Sequence, residues 1–390
     1  MYKVLTLNQL SVKGLERLSR EHYEIASEFT HPDAILLRSH KLTPEDIPAS
    51  VLAIGRAGAG VNNIPVPDCT ERGIPVFNSP GANANAVKEL VATALLLGSR
   101  GIVEGIAYVH TLADMSDDGE LNKLLEAQKK QFKGNELVGK TLGVVGLGAI
   151  GSMVADMALT MGMNVCGYDP ALSIEAAWRL SSRVKKVDAL APLFAQSDYI
   201  TLHLPVLDST RGLVNEELLK SVKPGACLLN FARQEIVDTK AVIGALDNQQ
   251  LRKYIADFPK AGLMGRDDVI LMPHIGASTE EAEENCAIMA ADQLRDFLEN
   301  GNIKNSVNFP ALNLERNSGA RLAIANRNVP KILGSLLSIL ADENINIIDM
   351  LNKSRDDIAY NLIDVEHAPN NAVLKRMQKI DGVINVRIIN

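Results

Sequence analysis

The sequence predicts an α/β protein: a doubly wound parallel sheet, preceded by a smaller α/β unit and followed by a ferredoxin-like module. Three observations lead there. Short apolar, β-branched runs alternate with helix-like segments over most of the chain. The run at 142–145 ends in a glycine-punctuated turn that opens directly into a helix. From residue 319 onward the pattern reads strand, helix, strand, strand, helix, strand. At 390 residues the chain is also too long for one ordinary core, which suggests about two or three domains.

Taken in order, the runs at 4–7, 34–37, 51–54 and 76–77 read as strands of the first unit. Residues 85–100 follow as a helix, because Val87, Leu90, Val91, Ala94 and Leu95 recur at helical spacing. The charged stretch 114–133 reads as a solvated helix. Strands at 142–145, 164–168, 199–204, 226–230, 253–257 and 269–272 then build the larger sheet. Residues 280–300 form an amphipathic helix, with Cys286, Met289, Ala290, Gln293, Leu294 and Phe297 near one face, and it is expected to return to the first lobe. Proline and asparagine at 302–318 predict a linker. The expected domains are therefore 1–95 completed by 277–305, then 96–276, a linker at 306–318, and a module at 319–390.

Composition narrows the function. With 46% hydrophobic and 22% charged residues the chain is globular, and 40 basic against 47 acidic residues leave a net charge of −7 with no dense Lys/Arg block. That argues against nucleic acid or an anionic membrane as partner. Cys69, Cys166, Cys227 and Cys286 are scattered, with neither metal-ligand spacing nor a disulfide framework, so no metal is expected and a reduced, cytoplasmic setting is. No apolar run reaches 18 residues.

The chemistry begins in Thr141-Leu-Gly-Val-Val-Gly-Leu-Gly-Ala-Ile-Gly151, with Asp169 closing the next strand in Val165-Cys-Gly-Tyr-Asp-Pro170. Gly146 allows the tight turn, Gly148 lets main chain approach a pyrophosphate, and Gly151 lets the helix lie close on the sheet. The helix opening at Ala149 and Ile150 offers free N–H groups and the positive end of its dipole. Asp169 can accept from a ribose 2′-hydroxyl and would repel a 2′-phosphate, and residues 170–173 hold no arginine to receive one. NAD is therefore expected over NADP. Two further residues end strands of the same sheet. Arg233 could clamp a carboxylate bidentately, and His274 could pass a proton. Taken singly, each also reads as a surface ion pair or an ordinary loop residue.

Together, the glycine triplet, Asp169, His203-Leu-Pro205, Arg233 and Pro273-His-Ile-Gly276 resemble the D-2-hydroxyacid dehydrogenases, over roughly the first 305 residues. That resemblance implies a Rossmann-type nucleotide domain and a flavodoxin-like substrate domain. It makes Arg233 the carboxylate clamp and His274 the acid/base. It also implies that Ala149, Ile150, Asp169, His203, Pro205, Thr210, Phe231, Ala232, Asp257, Gly276 and Ala277 line the cofactor, Asp257 near the nicotinamide carboxamide. Residues 54–63 and 78–87 and the C-terminal module, which resembles an ACT regulatory domain, are similar to the branch that oxidises D-3-phosphoglycerate to 3-phosphohydroxypyruvate for serine synthesis. There the turn Ala57, Gly58, Ala59, Gly60 would donate N–H groups to the substrate carboxylate, and Arg56 would meet the 3-phosphate; otherwise Arg56 merely caps its loop. A homo-oligomer, dimer or tetramer, is implied as well.

The chain departs from the family pattern in places. Past Asp257 it reads Asp257-Phe-Pro-Lys-Ala-Gly-Leu263, without the Glu that usually pairs with the catalytic histidine. His274 is then expected to work unpaired, or to borrow Asp267, Asp268 or a carboxylate from 280–284. Lys88 and Lys260 stand where the family usually has other residues, and Gln234 replaces the glycine after the clamp arginine. In the module, Asn326, Asn328 and Asn346 match residues contacting an amino-acid effector, but Lys331 replaces a glycine of that loop. A module that only dimerises remains open. So do a reductase of another 2-keto acid, such as glyoxylate or hydroxypyruvate, and an NAD-sensing binding protein with little catalysis.

Overall fold

The computed structural model describes residues 1–317 and 319–389. Residues 84–279 form one compact unit, and residues 1–83 with 280–390 form another.

In the latter, β1 (Tyr2–Leu7), β2 (Tyr23–Ala26), β3 (Ala34–Leu37), β4 (Ala53–Arg56) and β5 (Val76–Phe77) make a sheet of order β2-β1-β3-β4-β5. Every pair is parallel. This is the flavodoxin-like order. All four residues of β3 are buried, as expected of a continuous apolar run covered on both faces. The helix Glu280–Asn300 packs here despite its distance in sequence, burying Cys286, Ala290, Leu294 and Phe297 in the core around Val4 and Phe77.

The same unit holds the C-terminal module. β13 (Ala320–Arg327), β14 (Ile347–Arg355), β15 (Ile358–Val365) and β16 (Val383–Ile389) pair antiparallel in the order β14-β15-β13-β16. The labels β6–β12 belong to the other unit. One face carries Leu322, Ile324, Ile363 and Val365, covered by the helices Ile332–Asp342 and Asn371–Gln378. The opposite face, Ala323, Ala325, Tyr360, Leu362 and Ile389, lies in the same core as Phe297 and Leu298. The module therefore shares a core with the first lobe.

The end of helix Glu280–Asn300 shows how tightly. The last carbonyls of a helix have no partner within it and sit at its negative pole. Here Arg387 donates to Phe297 O at 2.5 Å and to Leu298 O at 3.3 Å, Arg316 to Glu299 O at 3.0 Å, and Arg321 to Asn300 O at 2.9 Å. Tyr360 adds Gly301 O at 2.8 Å. Arg321 is 1% exposed and also grips Asp364 through Nε at 2.6 Å and Nη2 at 2.8 Å, with Leu314 O and Glu315 O taking its remaining donors. The expected linker is itself packed. Phe309 and Leu312 are buried, and Asn308 bonds Ile74 O, Thr70 Oγ1 and Val76 N.

The second unit contains β6 (Thr141–Val145), β7 (Asn164–Tyr168), β8 (Lys185–Lys186), β9 (Tyr199–Leu202), β10 (Ala226–Asn230), β11 (Leu251–Ala256) and β12 (Val269–Leu271), all parallel, in the order β12-β11-β10-β9-β6-β7-β8. The strand order reverses between β6 and β9, where such sheets bind ligands beyond their carboxyl ends. The helix Ala84–Ser99 belongs to this unit from its first residue, ahead of the expected boundary at 95, and buries Val91, Ala94 and Leu95 against Leu142 and Val144. The helix Asp118–Gln128 is solvated and capped by Asp117, which accepts from Glu120 N at 2.8 Å. A further helix, Ile102–His110, was not foreseen. Among the described residues no single helix is long and apolar enough to cross a membrane.

Candidate dinucleotide and acid/base site

The carboxyl edge of the seven-stranded sheet gathers most of the residues picked out from the sequence. The turn 146–151 follows β6, Asp169 follows β7, the segment 203–210 follows β9, 231–233 follows β10, Asp257 follows β11, and 274–277 follows β12.

The glycine turn is shaped by contacts. Gly146 has φ +89°, and a Cβ there would lie 2.5 Å from His203 O. At Gly151 a Cβ would lie 1.9 Å from Gly146 O. Gly148 differs: a Cβ there would meet no protein atom within 4 Å, so the space it keeps clear is open. It is the N-cap of helix Ala149–Thr160 and makes no side-chain cap bond, leaving the first peptide N–H groups to an outside acceptor. The Asp169 carboxylate accepts from Leu147 N and from Ala171 N, each at 2.9 Å, and so ties the turn to the end of β7. Nearby, His203 meets Thr201 Oγ1 through Nε2 at 3.0 Å, while its Nδ1 is buried without a partner. Burial depresses its pKa to about 3, so the imidazole is neutral. Thr210 donates to Pro205 O at 2.7 Å and accepts from Leu207 N at 2.8 Å, closing the turn after His203. An uncapped helix start, an open cradle at Gly148 and an orphaned imidazole nitrogen fit a bound dinucleotide.

Arg233 follows buried Phe231 and Ala232 and is half-buried. It donates to Ala232 O at 2.7 Å and forms no ion pair among the described residues. A half-buried guanidinium without a carboxylate is a ready receptor for an anion. His274 sits at φ +58°, exposed, its ring 4.9 Å from that of Phe258. Among the described residues of this unit it has no carboxylate partner. Asp267 and Asp268 do not serve, correcting one expectation. They precede β12 whereas His274 follows it, so three residues of strand, ~10 Å, intervene. Asp268 is moreover held by Arg266 at 2.8 Å and 2.9 Å, which lowers its pKa. In the first unit, Glu283 pairs with Arg38 and Glu284 with Lys13.

Asp257, 2% exposed, spends both carboxylate oxygens on the His274 turn, accepting from Ile275 N at 2.8 Å and Gly276 N at 2.7 Å. The buried Asn230 was not singled out in advance, although a polar residue ending an apolar run was the available signal. It accepts from Ala232 N at 3.2 Å and donates to Arg233 O at 2.9 Å. Lys88 donates to Asn85 Oδ1 at 2.5 Å, and Lys260 begins a short 3₁₀ turn.

In the first unit, Arg56 ends β4 and donates through Nε to Arg38 O at 3.1 Å. Its guanidinium lies against the next turn, since a Cβ on Gly58 would be 2.2 Å from Nη1. Ala57 N donates to Leu37 O and Gly58 N to Arg56 O, which reduces the expected four N–H donors to those of Ala59 and Gly60. In the C-terminal module, Asn326 is buried and accepts from Asn361 at 2.7 Å, Asn328 donates to Asp356 O at 3.1 Å, and Asn346 donates to Glu366 at 3.0 Å. Asn328 and Asn346 lie at opposite ends of the sheet, roughly 25 Å apart along the strands, so one module does not bring them together. Lys331 adopts φ +78°, the conformation of the glycine it replaces.

The sheet order, the glycine turn and the acid after β7 define a doubly wound dinucleotide-binding protein. Residues 105–276 match the NAD binding domain of D-isomer specific 2-hydroxyacid dehydrogenases. D-3-phosphoglycerate dehydrogenase of Haemophilus influenzae is 35% identical over 90% of this chain and 85% of its own length, and that of Escherichia coli K12 33% over 90% and 86%. The crystal structure of cofactor (NAD+)-bound 3-phosphoglycerate dehydrogenase from Entamoeba histolytica aligns with a TM-score of 0.62 at 28% identity, covering 80% of this chain and 99% of that one. The chain belongs to the D-2-hydroxyacid dehydrogenase family.

Proposed function

We propose that this dehydrogenase oxidises D-3-phosphoglycerate to 3-phosphohydroxypyruvate with NAD. The observation that carries the reading is Arg233, half-buried at the carboxyl edge of the seven-stranded sheet and without an ion pair among the described residues, a receptor for a carboxylate. Within its own unit, Arg56 stands beside the N–H groups of Ala59 and Gly60, a combination suited to a phosphate. The name shared by relatives matching 85–86% of their length supports the same substrate.

On this reading the turn 146–151 and the start of helix Ala149–Thr160 hold the pyrophosphate, and Asp169 takes the adenosine ribose. NAD, when bound, supplies a two-electron acceptor for the hydride from C2. Arg233 fixes the C1 carboxylate and polarises the C2 oxygen as it becomes a carbonyl, and an imidazole nitrogen of His274 takes the hydroxyl proton. Feedback by an amino acid belongs to the same proposal and requires a second module, given the separation of Asn328 from Asn346.

NADH formation tests it. The expected result is oxidation of D-3-phosphoglycerate and little of unphosphorylated D-glycerate. Arg56→Ala should raise KM for the phosphorylated acid about 10- to 100-fold, as loss of a charged hydrogen-bonding partner does, with kcat changed far less. Equal rates on both acids, or preferential reduction of glyoxylate or hydroxypyruvate, would overturn the substrate assignment.

A further inference from the structure

We infer that Asn230 and Asp257 form a buried positioning brace that sets the Arg233 and His274 turns in fixed relation. The inference rests on the roles proposed above for those two residues.

The brace follows from sheet geometry. β10 and β11 are adjacent and parallel, with Asn230 in register with Ala256, so Asn230 and Asp257 emerge side by side where the strands end. Asp257 N donates to Asn230 O at 3.2 Å, joining the two backbones one step beyond the sheet. Each side chain then turns to a different loop. Asn230 uses both amide atoms on the turn that presents Arg233, accepting from Ala232 N and donating to Arg233 O. Asp257 uses both oxygens on the turn that presents His274. An amide offers an acceptor at one end and donors at the other, which suits one N–H and one carbonyl, and an ionised carboxylate offers an acceptor at each of its two oxygens, which suits two N–H groups. The residue types match their partners.

The brace also accounts for the backbone at His274. A non-glycine residue at φ +58° is held there by its surroundings. The two N–H groups immediately after it are fixed by one buried carboxylate, and the Phe258 ring packs beside the imidazole. His274 is thereby oriented through main chain and ring packing, in a chain lacking the glutamate that would orient it through its own nitrogen. Asn230 and Asp257 act through Arg233 and His274, and are positioning residues.

The test uses full-length protein and hydrogen exchange without substrate or cofactor, so it is independent of activity. In the wild type the amides of Ile275 and Gly276 should be protected well beyond open-loop rates, and in Asp257→Asn, which replaces one acceptor by a donor, that protection should fall at least about tenfold. Asn230→Asp should leave those two amides protected, because it disturbs only the other arm. In NADH formation, Asp257→Asn should lower kcat by about 10- to 100-fold, the scale of small misplacements, with KM for NAD nearly unchanged. Asn230→Asp should lower kcat and raise KM for the acid. Loop-like exchange of Ile275 and Gly276 in the wild type overturns the brace without any variant. So does unchanged protection in Asp257→Asn, or a loss confined to KM for NAD, which would put that carboxylate on the cofactor. A wild type with the expected exchange and no turnover of D-3-phosphoglycerate would leave the brace standing and remove the proposed function alone.

Discussion

His203 shows how much a half-buried side chain with one enclosed nitrogen fixes. Its imidazole is neutral because burial penalises the charged form, with a folded pKa of about 3 against 6.5 for the free side chain. Between those values the unfolded chain holds the extra proton and the folded chain does not, so stability rises with pH through this window and is lost as pH falls from 6.5 toward 3. The slope approaches about 1.4 kcal/mol per pH unit for one fully displaced proton. Urea unfolding of His203→Gln at pH 7 and pH 5 should show a smaller loss on acidification than the wild type. An equal loss would assign the acid sensitivity elsewhere. Of the residue-level reading, the glycine turn and Asp169 were legible because spacing alone encodes a turn, a cradle and an acid on the next strand. Asn230 was not, since its partners Ala232 and Arg233 matter only once the strand has ended. The donors in 57–60 were over-counted because Leu37 O, which claims Ala57 N, lies on a neighbouring strand.

At the scale of elements, the helix Glu280–Asn300 is the piece most dependent on what surrounds it. Its apolar face was readable from sequence, and Cys286, Ala290, Leu294 and Phe297 are buried as periodicity required. Its far end was not readable, because the cap comes from Arg316, Arg321, Tyr360 and Arg387, none of them local to the helix. Arg321→Met should be the most damaging change there. It leaves Asp364 buried and unpaired, a situation that costs about 3–5 kcal/mol, and changing both partners to apolar residues of similar size should recover the part due to that carboxylate, while Asn300 O, Leu314 O and Glu315 O still lose their donor. Denaturant midpoints of Arg321→Met and of the double variant Arg321→Met with Asp364→Leu check this, and equal midpoints for wild type and single variant would show the pair to be peripheral. Most strands that are continuous apolar runs were read in place, but the run at 51–54 forms its strand at Ala53–Arg56, and Tyr23–Ala26 and Lys185–Lys186, which are not such runs, were not anticipated. Asp267 and Asp268 were misjudged because β12 is only three residues long, so residues close in sequence to His274 end on the opposite edge of the sheet.

For the whole molecule, the shared core of the C-terminal module and the first lobe is the organising fact. Ala323, Ala325, Tyr360, Leu362 and Ile389 cover apolar surface that truncation near residue 305 would expose. The shortened chain should therefore be markedly less stable or insoluble. A truncated protein with the parent's melting temperature would show the module to be an independent appendage. Three domain types were visible in the sequence because each has its own rhythm of strands and helices, but their joining was not, since the β-sheet face involved reads as any buried face would. The claim beneath all of this is that bare main chain at the end of β6 holds the dinucleotide. Gly148 isolates that claim, because its φ of −66° suits any residue and a Cβ would touch no protein atom. Calorimetric titration of NAD into the wild type and into Gly148→Ala, with melting temperatures alongside, tests it directly. The expected result is a melting temperature within a few degrees of the wild type, as for loss of a glycine N-cap, and NAD affinity weakened by tenfold or more; equal affinity in the two proteins would contradict it.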